Sequence, residues 1–313
     1  MAKDMTMEST ESSGSGVLRF VGFGSLFLIF LVVFTLVKIP QPKIHSWLLG
    51  TLNQQMNPMG IQASAEEGHL ELGFGFRYEM TGIRLTMMDT QKTLRFSRLE
   101  IAPNLIGPLL QGKLGAHFVL EEGSGSITGD VKIKADEMDA DIQIENLNLG
   151  RMGILPFAIG LEGTADVKGA ITLSGSASAI SGMTGKINVT LAKIVIDAQK
   201  FKGFDIPRTS IADGAFEIDV GTGKAAFTTA RLGKPGGTDD FHGSATGEIK
   251  LNRSFENSEA NLRLKFGFSE HYRQEKTISL VDSLLGMFKL PDSSFGLRLT
   301  GPLHSISPSP EQS

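Results

Sequence analysis

An apolar run from Val17 to Val37 constrains this chain more than any other stretch of it. It carries one charge, Arg19, near its start and closes at Lys38-Ile39-Pro40. A helix needs about 20 such residues to cross a hydrocarbon core. Residues 17–39 therefore read as a membrane-spanning helix, with Val17, Val21, Leu26, Phe30, Val33 and Val37 as anchor residues. A secretory signal peptide would be shorter and would end in a small-x-small cleavage site. Here the exit reads Thr35-Leu36-Val37-Lys38 instead. The chain contains no cysteine, which excludes a lipoprotein anchor, disulfides and thiolate metal sites.

Residues 1–16 are rich in Ser, Glu, Thr and Gly and are expected to form a disordered tail. Lys3 in the tail and Arg19 at the start of the apolar run balance Lys38 and Lys43 after it, so local charge does not orient the helix. Long domains translocate largely regardless of charge, and the expectation is tail inside, bulk of the chain exported. A net charge of -4 with interspersed signs gives no reason to expect nucleic acid as a partner.

Beyond residue 40 the chain holds many of its 37 glycines, in a pattern of short strands and tight turns. Bulky apolar residues take every second place in Leu70-Glu71-Leu72-Gly73-Phe74-Gly75-Phe76-Arg77, which places them on one face of a strand. The same period runs through Val131–Lys134, Ala140–Ile144, Phe216–Val220 and Leu262–Phe266. Asp136–Asp139 and Gly221-Thr222-Gly223 read as the reversals between neighbours, with glycine supplying the positive φ of a hairpin turn. Short reversals make antiparallel neighbours, so the fold expected over residues 40–304 is mainly β, an antiparallel, curved meander forming a bent sheet or an open sandwich.

Three helices interrupt this pattern. Pro42 suits a first helical turn, and Ile44, Trp47, Leu48, Leu52 and Met56 follow at helical spacing until Asn57-Pro58. Ile278, Val281, Leu284, Leu285 and Phe288 form a second stripe before Pro291, and Asn104–Gln111 is a shorter candidate broken by Pro108. These stripes are expected to cover part of the sheet. Residues 233–240 read as a mobile loop tip, and 305–313 as a second disordered tail. Strand assignment is thinnest between Gly150 and Gly185, where Leu155-Pro156-Phe157 reads as a crossover or a domain boundary.

Catalytic constellations are not legible. Six histidines, His45, His69, His117, His242, His271 and His304, include no pair at metal-ligand spacing, and no HExxH or GxSxG occurs. The acidic group Asp136, Glu137, Asp139 and Asp141 lacks the glycine and closing glutamate of a calcium loop and reads as a hairpin turn. Asp240 and His242 are the sole local acid-base candidates. The chain is expected to be no enzyme, with no cofactor and no metal.

A resemblance extends over about residues 40–303. It starts at Glu67-Gly68-His69-Leu70-Glu71-Leu72, Gly82-Ile83-Arg84-Leu85 and Leu94–Ile101, and passes through Leu109–Lys113 and Gly123–Gly129. It continues in Phe201-Lys202-Gly203-Phe204-Asp205-Ile206-Pro207, Thr238–Gly243 and Gly247–Leu251, and ends at Gly296–Leu303. In these segments the chain resembles the type II secretion system protein N (GspN) family, which has relatives among the AsmA-like envelope proteins. The resemblance implies an accessory component of the Gram-negative type II secretion apparatus, anchored in the inner membrane with its β domain in the periplasm. Its partners would be other components of that system. The AsmA-like connection implies a second role, sheltering phospholipid acyl chains on an apolar sheet face. Phe74, Phe76, Leu262, Leu264, Phe266 and Phe268 are the residues expected to face lipid, or else to close as a dry core between two sheets.

Overall fold

The computed structural model describes residues 41–72, 76–104, 112–176, 178–201 and 203–311. The anchor segment 17–39, the tail 1–16, Phe74 and most of the 104–111 helix candidate lie outside the described residues. Among the described residues no helix is long and apolar enough to cross a membrane. The chain divides into two units at Leu48/Leu49, and every strand lies in the second.

Helix α1 (Gln41–Met56) ends in a short 3-10 turn at Asn57–Met59, where Pro58 stops it. None of its residues is fully buried. Asn53 links it to the sheet, donating to the Ala63 carbonyl at 2.8 Å and accepting from the Ala63 N–H at 2.6 Å.

The second unit is one curved, entirely antiparallel sheet of 15 strands. Strands β1 (Ile61–Ser64) and β2 (Glu67–Leu72) lie end to end along β3 (Phe76–Met87). From β3 each large strand pairs with the next: β4 (Thr93–Asn104), β5 (Leu114–Glu122), β6 (Gly125–Lys134), β7 (Glu137–Asn148), β8 (Gly163–Ser176) and β9 (Thr184–Ile196). A separate ribbon of β10 (Gln199–Phe201) and β11 (Phe204–Ile206) follows. The meander resumes with β12 (Thr209–Gly221), β13 (Lys224–Leu232), β14 (Phe241–Lys250), β15 (Glu259–Phe268), β16 (Phe295–Pro302) and β17 (Ser307–Pro310). The meander read from alternation is thus observed, and the turn at Thr222-Gly223 takes positive φ at both residues, as a two-residue hairpin with the native strand twist requires.

Several expectations are corrected. Leu70–Arg77 is not one strand: β2 pairs with β3, Leu72 opposite Phe76 and Leu70 opposite Tyr78. Alternation did not show the reversal because both arms place their apolar residues on the same face. Of the two readings of Leu155-Pro156-Phe157 the longer connection is the one observed, α2 (Leu149–Met152) and α3 (Ile154–Ile159) joining β7 to β8, which pair directly. Residues 305–311 are not disordered, since Ser307–Pro310 pairs with β16. Backbone pairing needs no apolar side chain, which is why composition missed it. The loop 233–240 is pinned: the Gly233 N–H donates to the Asp213 carbonyl at 2.7 Å and the Asp240 N–H to the Ser210 carbonyl at 3.0 Å.

Curvature has visible causes. Register shifts interrupt β7, β8, β12 and β13, and Asn146 and Lys193 take positive φ at bulges, each adding local twist. The sheet bends enough for α2 and α3, which follow β7, to contact β4 as well as β8. A Cβ at Gly153 would lie 2.7 Å from the Thr93 carbonyl oxygen, so only glycine permits this approach.

Candidate functional site

Antiparallel register carries the strand alternation across the whole sheet. One row runs Leu70, Tyr78, Ile101, Phe118, Gly129, Ile142, Ile171, Ile187, Ile218, Phe227, Gly247, Leu262 and Leu299, each opposite the next. The next row on the same face includes Met80, Leu99, Leu120, Ile127, Ile144, Val189 and Phe216. The intervening row, on the other face, reads Glu79, Glu100, Val119, Thr128, Gln143, Ala170, Asn188 and Glu217. The sheet is therefore apolar on one side and polar on the other from edge to edge.

On the polar side, charge is held in ladders. Glu79 and Glu100 stand directly opposite, a destabilising pair by itself. Arg98 reaches both, at 2.9 and 3.1 Å, and Arg77 adds a contact to Glu100 at 2.9 Å. Arg231 and Lys234 share Asp213, whose carboxyl is held below its usual range by the Arg231 hydrogen bonds.

Among the described residues the apolar side carries no second layer. Among the described residues the only other sheet is the β10–β11 ribbon, so the dry sandwich is not what forms. Ile101, Phe118, Ile142, Ile171, Ile187, Ile218, Phe227 and Leu262 are only partly buried. A partly exposed row of large apolar side chains, supplied by eight of the ten consecutive strands from β4 to β15 with glycine in β6 and β14, is the kind of apolar surface that monomers seldom leave uncovered.

The two ends of this face differ. At one end lie α2, α3, the β10–β11 ribbon and the connection from β15 to β16, which contains α4 (Glu270–Arg273) and α5 (Lys276–Leu284). Here Phe241, Phe266, Phe268 and Phe295 pack with ring centroids 5.3–6.1 Å apart, and Tyr272 joins Phe268 at 6.0 Å. Phe295 is fully buried, and the Tyr272 hydroxyl bonds Thr209, with burial pushing its pKa up. Ala165, Ile194 and Ile211 form a buried cluster at the same end. At the other end Leu114 and Ile133, paired across β5 and β6, stand 67% and 40% exposed. The face is stoppered at one end and open at the other.

Of the residues singled out from sequence, Phe76, Leu262, Leu264, Phe266 and Phe268 all lie on the apolar side and are half-buried. Leu262 and Leu264 belong to the open rows, whereas Phe266 and Phe268 belong to the aromatic stopper. Alternation in Ile171–Leu173 and Ile187–Leu191 would have found the central rows, but Gly169, Ala170 and Gly185 dilute it. A pocket of about 220 Å³ lies on this side, lined by Phe216, Leu232, Phe241 and Leu264, too small to enclose a ligand by itself.

The acid-base candidates serve the loop. Asp239 is 6% exposed and accepts the Ala212 and Lys234 N–H groups at 2.6 and 2.8 Å; Asp240 accepts the Ser210 N–H at 2.7 Å. Burial lowers the pKa of His242, whose ring packs over Gly267. His242 also lines a polar cavity of about 810 Å³ with Arg231, Lys234, Lys265 and Arg273. The cations there are already engaged: Lys265 by Asp292 at 2.6 Å, Arg273 by the Ser293 carbonyl at 2.7 Å. Asp136 accepts from Ser176 and Ser178, tying the β6–β7 turn to the β8–β9 connection. Among the described residues no three His, Asp or Glu side chains converge as a metal site.

Compared with known protein families, with curated proteins and with solved structures, the chain matches none.

Proposed function

We propose that this protein is a non-enzymatic binder of amphiphilic lipid, holding phospholipid acyl chains along the apolar side of its sheet. One observation carries the reading: a large curved sheet, apolar on one side, whose central row stays partly exposed with no second layer above it among the described residues. Acyl chains are extended, flexible and without hydrogen-bonding groups, so a continuous apolar strip suits them better than a closed pocket. The apolar run at residues 17–37 would hold the protein at the bacterial inner membrane, with the sheet in the periplasm and a supply of phospholipid beside it.

The test is photo-crosslinking in nanodiscs that hold the full chain and a phospholipid with a diazirine on its acyl chain. Adducts should map to β7, β8, β9 and β12 on the apolar side, and Ile171→Asp with Ile187→Asp should remove them. Adducts confined to residues 17–39 would refute the reading.

A second reading, an accessory role in type II secretion through protein contacts, is favoured by the segments between Glu67 and Leu303 that resemble the GspN family. Strand addition is a poor route to such contacts here. The β17 edge carries Pro308 and Pro310, and the opposite edge is split into two short strands bearing Glu67, His69 and Glu71. A partner would bind a face or a connection. Unchanged secretion of every exoprotein in a deletion strain would sink this second role.

A further inference from the structure

We infer that the stoppered end of the sheet docks on the bilayer surface, through an apolar patch built from three adjacent connections. Ile159 at the end of α3 is 52% exposed, and Phe204 in β11 is 47% exposed; Leu280, Leu284 and Met287 on and just after α5 are 50%, 64% and 72% exposed. These elements are neighbours. A Cβ at Gly160, next to Ile159, would lie 3.4 Å from the Phe201 ring of the ribbon, and the ribbon in turn contacts α5.

Helix α5 is amphipathic in an unusual sense. Ile278 is buried against the fold, as its periodicity predicts, whereas Leu284, expected beneath it, faces out with Leu280 and Met287 at spacings of four and three. The helix's one carboxylate, Asp282, is turned inward toward Lys289 at 3.0 Å and Arg273 at 3.9 Å. Its outer side carries no carboxylate: Lys276, Ser279 and Ser283 are exposed beside Leu280 and Leu284, with Met287 just beyond, so uncharged and large apolar residues dominate it, as on a helix lying in a membrane interface.

The bilayer is the occupant because of where the chain enters. Strand β1 begins at this same end, Ile61 opposite Met87, and the apolar run 17–37 is joined to it by residues 38–60, most of them in α1. The strands run away from this end for about 40 Å. Docking would stand the sheet upright on the membrane with its open end, at Leu114 and Ile133, pointing away.

Because the chain has no cysteine, single labels report position directly. The full chain, one copy per nanodisc, would carry an environment-sensitive fluorophore at Met287→Cys, Phe204→Cys or Lys134→Cys, with spin-labelled phospholipid as quencher. Quenching is expected at 287 and 204 and not at 134, and Leu280→Asp with Leu284→Asp should abolish it at 204. Equal quenching at all three positions, none at 287, or quenching at 204 that survives the double substitution would overturn the docking. The inference rests on the anchor reading of residues 17–37; a chain that fails to enter the nanodisc defeats both, whereas one that enters without quenching at 287 defeats the docking alone.

Discussion

Truncating Ile187 to alanine should destabilise the fold far less than truncating Phe295, although both are large apolar residues on the same side of the sheet. Phe295 is fully buried, with Phe266 and Phe268 rings 5.3 and 6.1 Å away, so Phe295→Ala opens a closed cavity and should cost about 3–5 kcal/mol. Ile187 sits between Ile171 and Ile218 and is only partly buried. Fully burying such a side chain is worth about 1.5–3 kcal/mol, and the larger part of that, without a sealed cavity, leaves about 1–2 kcal/mol for Ile187→Ala. The assay is pulse proteolysis across a urea series, with the full chain in nanodiscs. A cost for Ile187→Ala of about 3 kcal/mol or more, equal to that of a packed core residue, would mean that the face is covered by protein and refute the reasoning. A small cost combined with loss of diazirine-lipid adducts would separate binding from folding at one residue.

Other consequences are open to direct measurement. Asp239→Ala leaves the Ala212 and Lys234 N–H groups without their acceptor and should cost about 1–3 kcal/mol, with faster hydrogen exchange confined to the 233–240 loop and the start of β12. Replacing Pro308 and Pro310 by valine gives the β17 edge two new N–H donors, and sedimentation should then show concentration-dependent association. His242 has a lowered pKa in the fold, so the unfolded chain takes up its proton first. Its contribution is present above about pH 6.5 and lost as the pH falls below that. His242→Gln should flatten stability against pH in this window. Asp213, Asp166 and Asp136 are also held low, by Arg231, Asn148 and Ser176 respectively. Their contribution is present above the usual carboxylate value of 3.8 and lost below it, so acid unfolding should begin there and Asp213→Asn should reduce its pH dependence.

What sequence could and could not supply follows from what each pattern encodes. Period-two alternation in Ala140–Ile144 or Leu262–Phe266 assigns faces correctly because it depends only on the pleat. It is blind to reversals that preserve the face, which is why Leu70–Arg77 reads as one strand when Leu72 in fact pairs with Phe76. It also fades where glycine and alanine replace bulky residues, as in β8, although Gly169 is opposite Val189 in the same apolar row. Composition judged 305–311 unable to order and 233–240 mobile, because neither buries apolar surface. Both are fixed by backbone and carboxylate hydrogen bonds, which composition does not register. The exposed side of α5 is hidden for the opposite reason: its stripe looks like a core stripe, and only its placement at the end of the sheet reveals that Leu284 is 64% exposed there.

The most informative contrast in the molecule lies between the ends of one apolar surface. Where helices cover it, side chains such as Phe295, Met152 and Ala165 are buried to 2% exposure or less. Along the central row no helix covers the sheet among the described residues, and each residue forgoes up to about a third of its transfer free energy, on the order of 0.5–1 kcal/mol per side chain. An acyl chain laid across those residues would recover part of that loss. Lipid should then stabilise the sheet by RT ln(1 + [L]/Kd), which is about 2.7 kcal/mol when lipid is present at a hundred times its dissociation constant. Delipidation should therefore lower the urea midpoint of the native chain but leave that of an Ile171→Asp, Ile187→Asp variant unmoved. A native midpoint insensitive to lipid would mean that the open face is filled by something other than acyl chains.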